Sequence, residues 1–244
     1  MRLRHDFSFQ QMMALAGLTM DLGKVQRATR HPDRTPETDT THTTMLVALV
    51  HHAAMHENRI WREQPEEVRQ ANPGRMHLSI LDCMEFALYH DYPEAIAGDV
   101  VTLRELSSEQ KVAKDRNEAE AVRQMDEYMG LHRVASTIRE YEFKLSPEAH
   151  FVHAWDKIAP RLTHIMDGCV VPKEKLMSYM ELDARLTSQN EELIESTPGM
   201  TFTHQILRET AKKMLAAYRG PDAPPPVQKK EKIDPTAETL GPIP

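Results

Sequence analysis

The ten residues His90-Asp91-Tyr92-Pro93-Glu94-Ala95-Ile96-Ala97-Gly98-Asp99 hold one imidazole and three carboxylates. They follow directly on the apolar run Phe86-Ala87-Leu88-Tyr89. If the helix continues, His90 and Glu94 are one turn apart and share a face, although Pro93 interrupts it. Side chains of this kind at the end of a buried helix need compensation, because unpaired polar and charged groups are costly to bury. A divalent first-row cation supplies it, since neutral imidazole and carboxylate are both suitable ligands. A His-Asp pair is otherwise a surface turn, with the Asp as a cap. The apolar run before it and the two further carboxylates weigh against that reading here.

A metal site needs more ligands. His42 opens a second strongly apolar segment, with His51 and His52 two to three turns along it. Asp156 interrupts an apolar face made by Phe151, Val152, Trp155 and Ile158. One His from one helix, His-Asp from a second and Asp from a third give two nitrogens and two oxygens. Positions then stay open for water and substrate, as hydrolytic chemistry requires. Spacing alone does not choose His42 over His51, nor Asp156 over Asp167.

The elements that must position these groups read as helices. A first helix begins near Ser8, with Phe9, Met12, Met13, Ala16 and Leu18 as its apolar stripe. A second short helix is expected from Met20 to about Thr29. His31 to Thr41 reads as a loop, with Thr40 or Thr41 capping the next helix. That helix, His42 to about Glu57, is apolar on most sides and therefore central. His77 to Tyr89 is a second buried helix, and Val100 to Leu106 reads as loop or a turn of helix. Ser108 to Tyr128 is a charged, solvated helix. Ser146-Pro147-Glu148 starts another, with a kink expected at Pro160. Lys173–Glu195 and Phe202–Tyr218 complete an all-α chain.

Bulk properties agree. Gly is scarce at 9 residues, Met plentiful at 15, and aromatics are 6%; this favours helix over sheet. A formal net charge of −7 argues against binding a nucleic-acid polymer. It leaves room for a small anionic substrate at a metal with local arginines. Cys83 and Cys169 read as buried thiols. The start MRLRHDFSFQ lacks a signal-peptide core, and no apolar run reaches membrane-span length. No membrane association and a cytoplasmic location are expected. From Gly220 the chain holds seven of its sixteen prolines and a KKEK run, and reads as a disordered tail over 220–244.

Taken as an ordered set, the motifs resemble those of the HD-domain phosphohydrolases, and within them the bacterial 5′-deoxynucleotidase branch. The residues carrying the resemblance are Val25-Gln26-Arg27, Glu37 five residues before His42, His90-Asp91-Tyr92-Pro93-Glu94, Gly98-Asp99 and Ala154-Trp155-Asp156-Lys157. The set spans about residues 10–170. The resemblance implies an HD-domain helical bundle over 1–219, with extra helices at 173–219. It implies His42, His90, Asp91 and Asp156 as metal ligands and Glu94 as general acid/base. Arg27 is implied as the phosphate-binding residue and Asp99 as a substrate-contacting, catalytic carboxylate. Lys157 reads equally as a residue that reaches a substrate phosphate and as a solvated helix-surface lysine. The mixed donors admit Mn, Co, Fe, Ni, Zn or Mg.

The implied activity is removal of the 5′-phosphate of a (deoxy)nucleoside monophosphate. Cleavage of a (d)NTP on the same fold is the neighbouring alternative. A non-catalytic helical module stapled by metal is the alternative from another class. Family members are often dimeric, so a homodimer is also implied. One departure concerns the sugar: the deoxynucleotidases carry Trp after the Arg, packed where a ribose 2′-hydroxyl would sit, and this chain has Ala28.

Overall fold

The computed structural model describes residues 8–71, 77–99 and 106–220. The described residues form a helical fold with one small two-stranded sheet. Helix α1 spans Phe9–Leu22, α2 Asp39–Glu63, α3 Glu66–Gln70, α4 Ile80–Tyr89 and α5 Glu94–Ala97. Helix α6 spans Ser108–Glu127, α7 His132–Glu142, α8 Pro147–Asp167, α9 Val170–Glu174, α10 Tyr179–Ser196 and α11 Thr201–Arg219. Strands β1 (Gln26–Arg30) and β2 (Pro36–Thr38) pair antiparallel between α1 and α2.

The central helices are α2, α4 and α8, with α11 across them. Leu46, Val50, Ala53 and Ala54 of α2 meet Cys83, Phe86 and Ala87 of α4. Phe151, Val152, Trp155 and Ile158 of α8 and Leu207 of α11 complete this core. A second cluster joins Leu18 and Leu22 of α1 to Val122 and Met125 of α6 and Val134 and Ile138 of α7. A third, with Leu182, Leu186 and Met214, seats α10 on α11. No helix among the described residues is long and apolar enough to cross a membrane.

Starts are set by local chemistry. Ser8, Thr38, Ser79, Ser107, Ser146 and Ser178 each accept a backbone N–H of the following first turn, the preferred way to satisfy an orphan donor. Pro147 occupies a first-turn position, where its missing N–H costs nothing. Gly168 ends α8 at φ 74°, a left-handed cap suited to glycine.

Five expectations are corrected. No helix runs from Met20 to Thr29: α1 continues to Leu22, and the chain then enters β1. The expected loop over 31–41 is largely the hairpin and the start of α2. Its turn is closed by His31 N–H to Thr35 O and by Asp33 accepting from Thr35. The cap of α2 is accordingly Thr38, not Thr40 or Thr41. The stripe of α1 does not face the core at its N-terminal end: Phe9 is 72% and Met13 57% exposed, and burial is left to Leu18 and Leu22. The single helix expected over Lys173–Glu195 is two, α9 and α10, separated by a turn with Leu176 at φ 52°.

Helix α7 has no counterpart in the sequence reading. Most of 100–106 and the tail from 221 lie outside the described residues. Both cysteines are buried free thiols, as expected.

Candidate metal centre

Three helices deliver four polar side chains to one point. His42 lies one turn into α2, and Thr38 and the β1–β2 hairpin fix where that turn begins. His90 is the C-cap of α4, and Asp91 starts the turn into α5. Asp156 lies mid-way along α8, next to Trp155, whose indole Nε1 donates to Thr203 Oγ1 at 3.2 Å and whose ring stacks on Phe202. His42 is 0%, His90 6%, Asp91 8% and Asp156 6% exposed.

The separations are those of donors around one small volume. His42 Nε2 is 3.0 Å from Asp156 Oδ1 and 3.9 Å from Asp91 Oδ2. His90 Nε2 is 3.0 Å from Asp91 Oδ2 and 3.4 Å from Asp156 Oδ1. His90 Nδ1 donates to the backbone carbonyl of Ala87 at 3.0 Å. A carbonyl only accepts, so the Nδ1 proton is fixed and, in the neutral ring, Nε2 keeps its lone pair toward the cluster. That buried Nε2 has no hydrogen-bond partner. An orphaned imidazole nitrogen among carboxylate oxygens is what a cation would satisfy. Behind His42, Glu37 Oε1 lies 3.8 Å from Nδ1, and Glu37 itself accepts from Thr29 Oγ1.

A second layer lies on the open side. Arg27, from β1, donates through Nη1 to Asp91 Oδ2 at 2.7 Å and Asp39 Oδ1 at 3.0 Å. Lys157 Nζ pairs with Asp156 Oδ2 at 2.8 Å. Asp39, Asp91 and Glu94 place carboxylate oxygens within 4.8 Å of one another. Glu94 Oε2 is buried without a partner. Asp99 stands further out, on the wall of the cleft.

The electrostatics follow. Burial, then the charges of Asp91, Asp39 and Asp99, push Glu94 up to about 10. Burial opposes charge on His90, but Asp91 and Asp156 outweigh it and push that group up to about 10. Burial acts against ionised Asp91 and Asp156 as well, yet His90 and Arg27 hold the first, and Lys157 and the two imidazoles the second, below the carboxylate range. Arg27 is held above its ordinary value by the same carboxylates, against burial. Lys157 is raised chiefly by Asp156. Without a cation, protons on His90 and Glu94 offset the carboxylate charge alongside Arg27 and Lys157, and a divalent cation would take over that role.

Arg27, His42, His90, Asp91, Glu94, Asp156 and Lys157 lie at or beside this point, and Asp99 lies on the cleft wall. His51, His52 and His56 do neither: they lie farther along α2, and none lines the cleft. Asp167, at the end of α8, lies near His164 instead. The sequence reading missed two neighbours of the cluster. Asp39, fully buried, reads in sequence as one more polar residue of a loop. Tyr141, whose ring is 5.6 Å from His90, sits on the unread helix α7. Its neighbours Val134, Ala135 and Ile138 have helical spacing.

The centre floors a cavity of about 720 Å³ between α5, α6, α7 and α8, with Lys111, Lys114, Lys144 and His153 around it. That size accommodates a small organic ligand.

Fold and site define a helical protein with a mixed nitrogen–oxygen metal centre at the base of a cleft. The family description "HD domain" matches residues 70–198, more than half of the 244. The chain belongs to that family, and its cofactor is a divalent metal cation. The match includes His90, Asp91, Glu94 and Asp156 and leaves Arg27 and His42 upstream. The fold is similar to that of a predicted metal-dependent phosphohydrolase from Magnetospirillum magnetotacticum MS-1. The TM-score is 0.57 at 17% identity, over 88% of this chain and 95% of that one. No curated protein matches the chain.

Proposed function

We propose that the protein is a metal-dependent phosphohydrolase that removes the 5′-phosphate of (deoxy)nucleoside monophosphates. The observation that carries this reading is the convergence of His42, His90, Asp91 and Asp156 within 3.0–3.9 Å contacts, beside Arg27 and Glu94 and open to the cleft. Membership of the HD-domain family and the likeness in fold to a predicted metal-dependent phosphohydrolase support it.

His42, His90, Asp91 and Asp156 would hold the cation. A bound divalent cation polarises a phosphoryl oxygen and activates water for attack. The chain's own groups do the rest. Arg27 spends Nη1 on Asp91 and Asp39, which fixes the guanidinium plane and aims its remaining N–H groups at a phosphate in the cleft. Lys157, anchored on Asp156, adds a second positive charge where the phosphate sits. With a cation in the site offsetting the neighbouring carboxylates, Glu94 would ionise, and its Oε2, without a partner inside the site, would take the proton of the attacking water and return it to the leaving alkoxide. Asp99, at the cleft wall, contacts the substrate's sugar. With Ala28 in place of a Trp beside Arg27, the site tolerates a ribose 2′-hydroxyl. The substrate is a small nucleotide rather than a polymer.

The test is release of phosphate and pyrophosphate from mono-, di- and triphosphates, ribo and deoxy, with Mn, Co, Fe, Ni, Zn or Mg. Phosphate from monophosphates, abolished by chelator, is expected. No hydrolysis of any nucleotide with any metal, by folded protein, overturns the reading and leaves the metal-stapled module.

A further inference from the structure

On the far side of Asp156 and Lys157 from the main cleft lies a smaller cavity of about 150 Å³, between α8, α10, α11 and β1. A water occupies roughly 30 Å³ in the liquid, so the space takes a phosphate-sized group. Arg27, Asp99, Asp156 and Lys157 line both cavities. The smaller one is therefore contiguous with the candidate metal centre.

Its inner wall is Arg161, only 3% exposed. Arg161 Nη1 donates to Asn190 Oδ1 at 2.7 Å and Leu207 O at 3.0 Å, and Nη2 donates to Gln189 Oε1 at 2.7 Å. All three acceptors are neutral. Nε has no partner, and no carboxylate among the described residues pairs with this guanidinium. Hydrogen bonds to amides orient a cation but do not balance its charge, and an uncompensated buried charge is strongly unfavourable. Arg27 and Lys157, by contrast, both have carboxylate partners.

Lys157, Arg161 and His164 fall at i, i+4 and i+7 of α8, so they share one face and extend along about 10 Å of its axis. This places a row of nitrogen groups leading from Asp156 into the smaller cavity. His164, 4% exposed, also lines it and keeps Nδ1 without a partner.

We propose that this cavity is a second anion subsite, centred on Arg161, that receives a second phosphate of the substrate while the scissile phosphate lies at the metal centre. The inference rests on the phosphohydrolase reading for the scissile group. The substrate class it adds to the monophosphates is a nucleotide bearing a second phosphate group, of which the phosphate at the metal centre is the one removed.

The probe is inorganic pyrophosphate, compared with inorganic phosphate, titrated calorimetrically into metal-loaded full-length protein. Gln189→Glu is the decisive variant, because it keeps the hydrogen bond to Arg161 and supplies the missing counter-charge from within. It is expected to weaken pyrophosphate binding about tenfold and leave phosphate binding unchanged. Arg161→Gln should do the same where it folds. In turnover, Gln189→Glu should raise KM about tenfold for a nucleoside 3′,5′-bisphosphate or a diphosphate, with KM and kcat for the monophosphate unchanged. Unchanged pyrophosphate affinity in Gln189→Glu, or equal weakening of both anions, overturns the subsite. Selective, Gln189-dependent pyrophosphate binding without nucleotide hydrolysis would sink the nucleotidase reading but not the subsite. Monophosphate hydrolysis without that binding would do the reverse.

Discussion

At the scale of single residues, two features of the centre give separable predictions. Glu94 Oε2 and His90 Nε2 are both buried without hydrogen-bond partners, but for different reasons. The first faces the substrate cleft, whereas the second is aimed at the cation volume by the Ala87 carbonyl. Glu94→Gln keeps shape and removes proton transfer. Phosphate release should fall at least about 100-fold, the usual scale of a general acid/base, with metal affinity by calorimetry unchanged. Wild-type turnover in that variant would remove Glu94 from the mechanism. Asp156→Asn acts on the other function. It removes one anionic donor and leaves Lys157 without its partner, so metal affinity should drop at least about tenfold with turnover falling alongside. Metal titrations matching wild type would show that Asp156 is not a ligand.

At the scale of elements, the site depends on where helices start and how they are pinned. Thr38 caps α2 four residues before His42 and ends β2. Thr38→Ala should cost about 1 kcal/mol in denaturant unfolding, and should also weaken metal binding, because fraying the first turn displaces His42. Loss of stability with unchanged metal affinity would mean that the hairpin positions His42 without the cap. On α8, Trp155 is packed between Phe151 and Phe202 and bonded to Thr203. Trp155→Ala should cost about 3–5 kcal/mol. Trp155→Phe should cost less and mainly leave the Thr203 hydroxyl unsatisfied. If Trp155→Ala is as stable as wild type, α11 does not brace the Asp156 helix.

At the scale of the whole molecule, the imidazoles and carboxylates buried between α2, α4 and α8 include polar atoms without partners, which a cation would satisfy. Binding to the folded state alone stabilises by about 2.7 kcal/mol at a hundredfold excess over Kd. For a chain of this size that is roughly 5–10 °C in Tm. Chelation should lower Tm by that amount, and adding back metal should restore it. A melting curve indifferent to chelator would argue against a cation in the core of the fold.

The sequence by itself determined the helical class, the central segments and the local chemistry at His90-Asp91 and Glu94, because these are written in contiguous residues. Amphipathic spacing and Ser or Thr caps act within one or two turns. The choice of His42 over His51, and of Asp156 over Asp167, was legible only through resemblance. Spacing within one helix does not say which turn faces a neighbour. The β1–β2 hairpin was misread because the pairing of Gln26–Arg30 with Pro36–Thr38 depends on a turn and on Thr29 meeting Glu37. Only the tertiary structure decided that Asp39 holds Arg27 and that Arg161 is buried among neutral acceptors. A side chain's partner is set by which distant helix packs over it, and no local pattern encodes that.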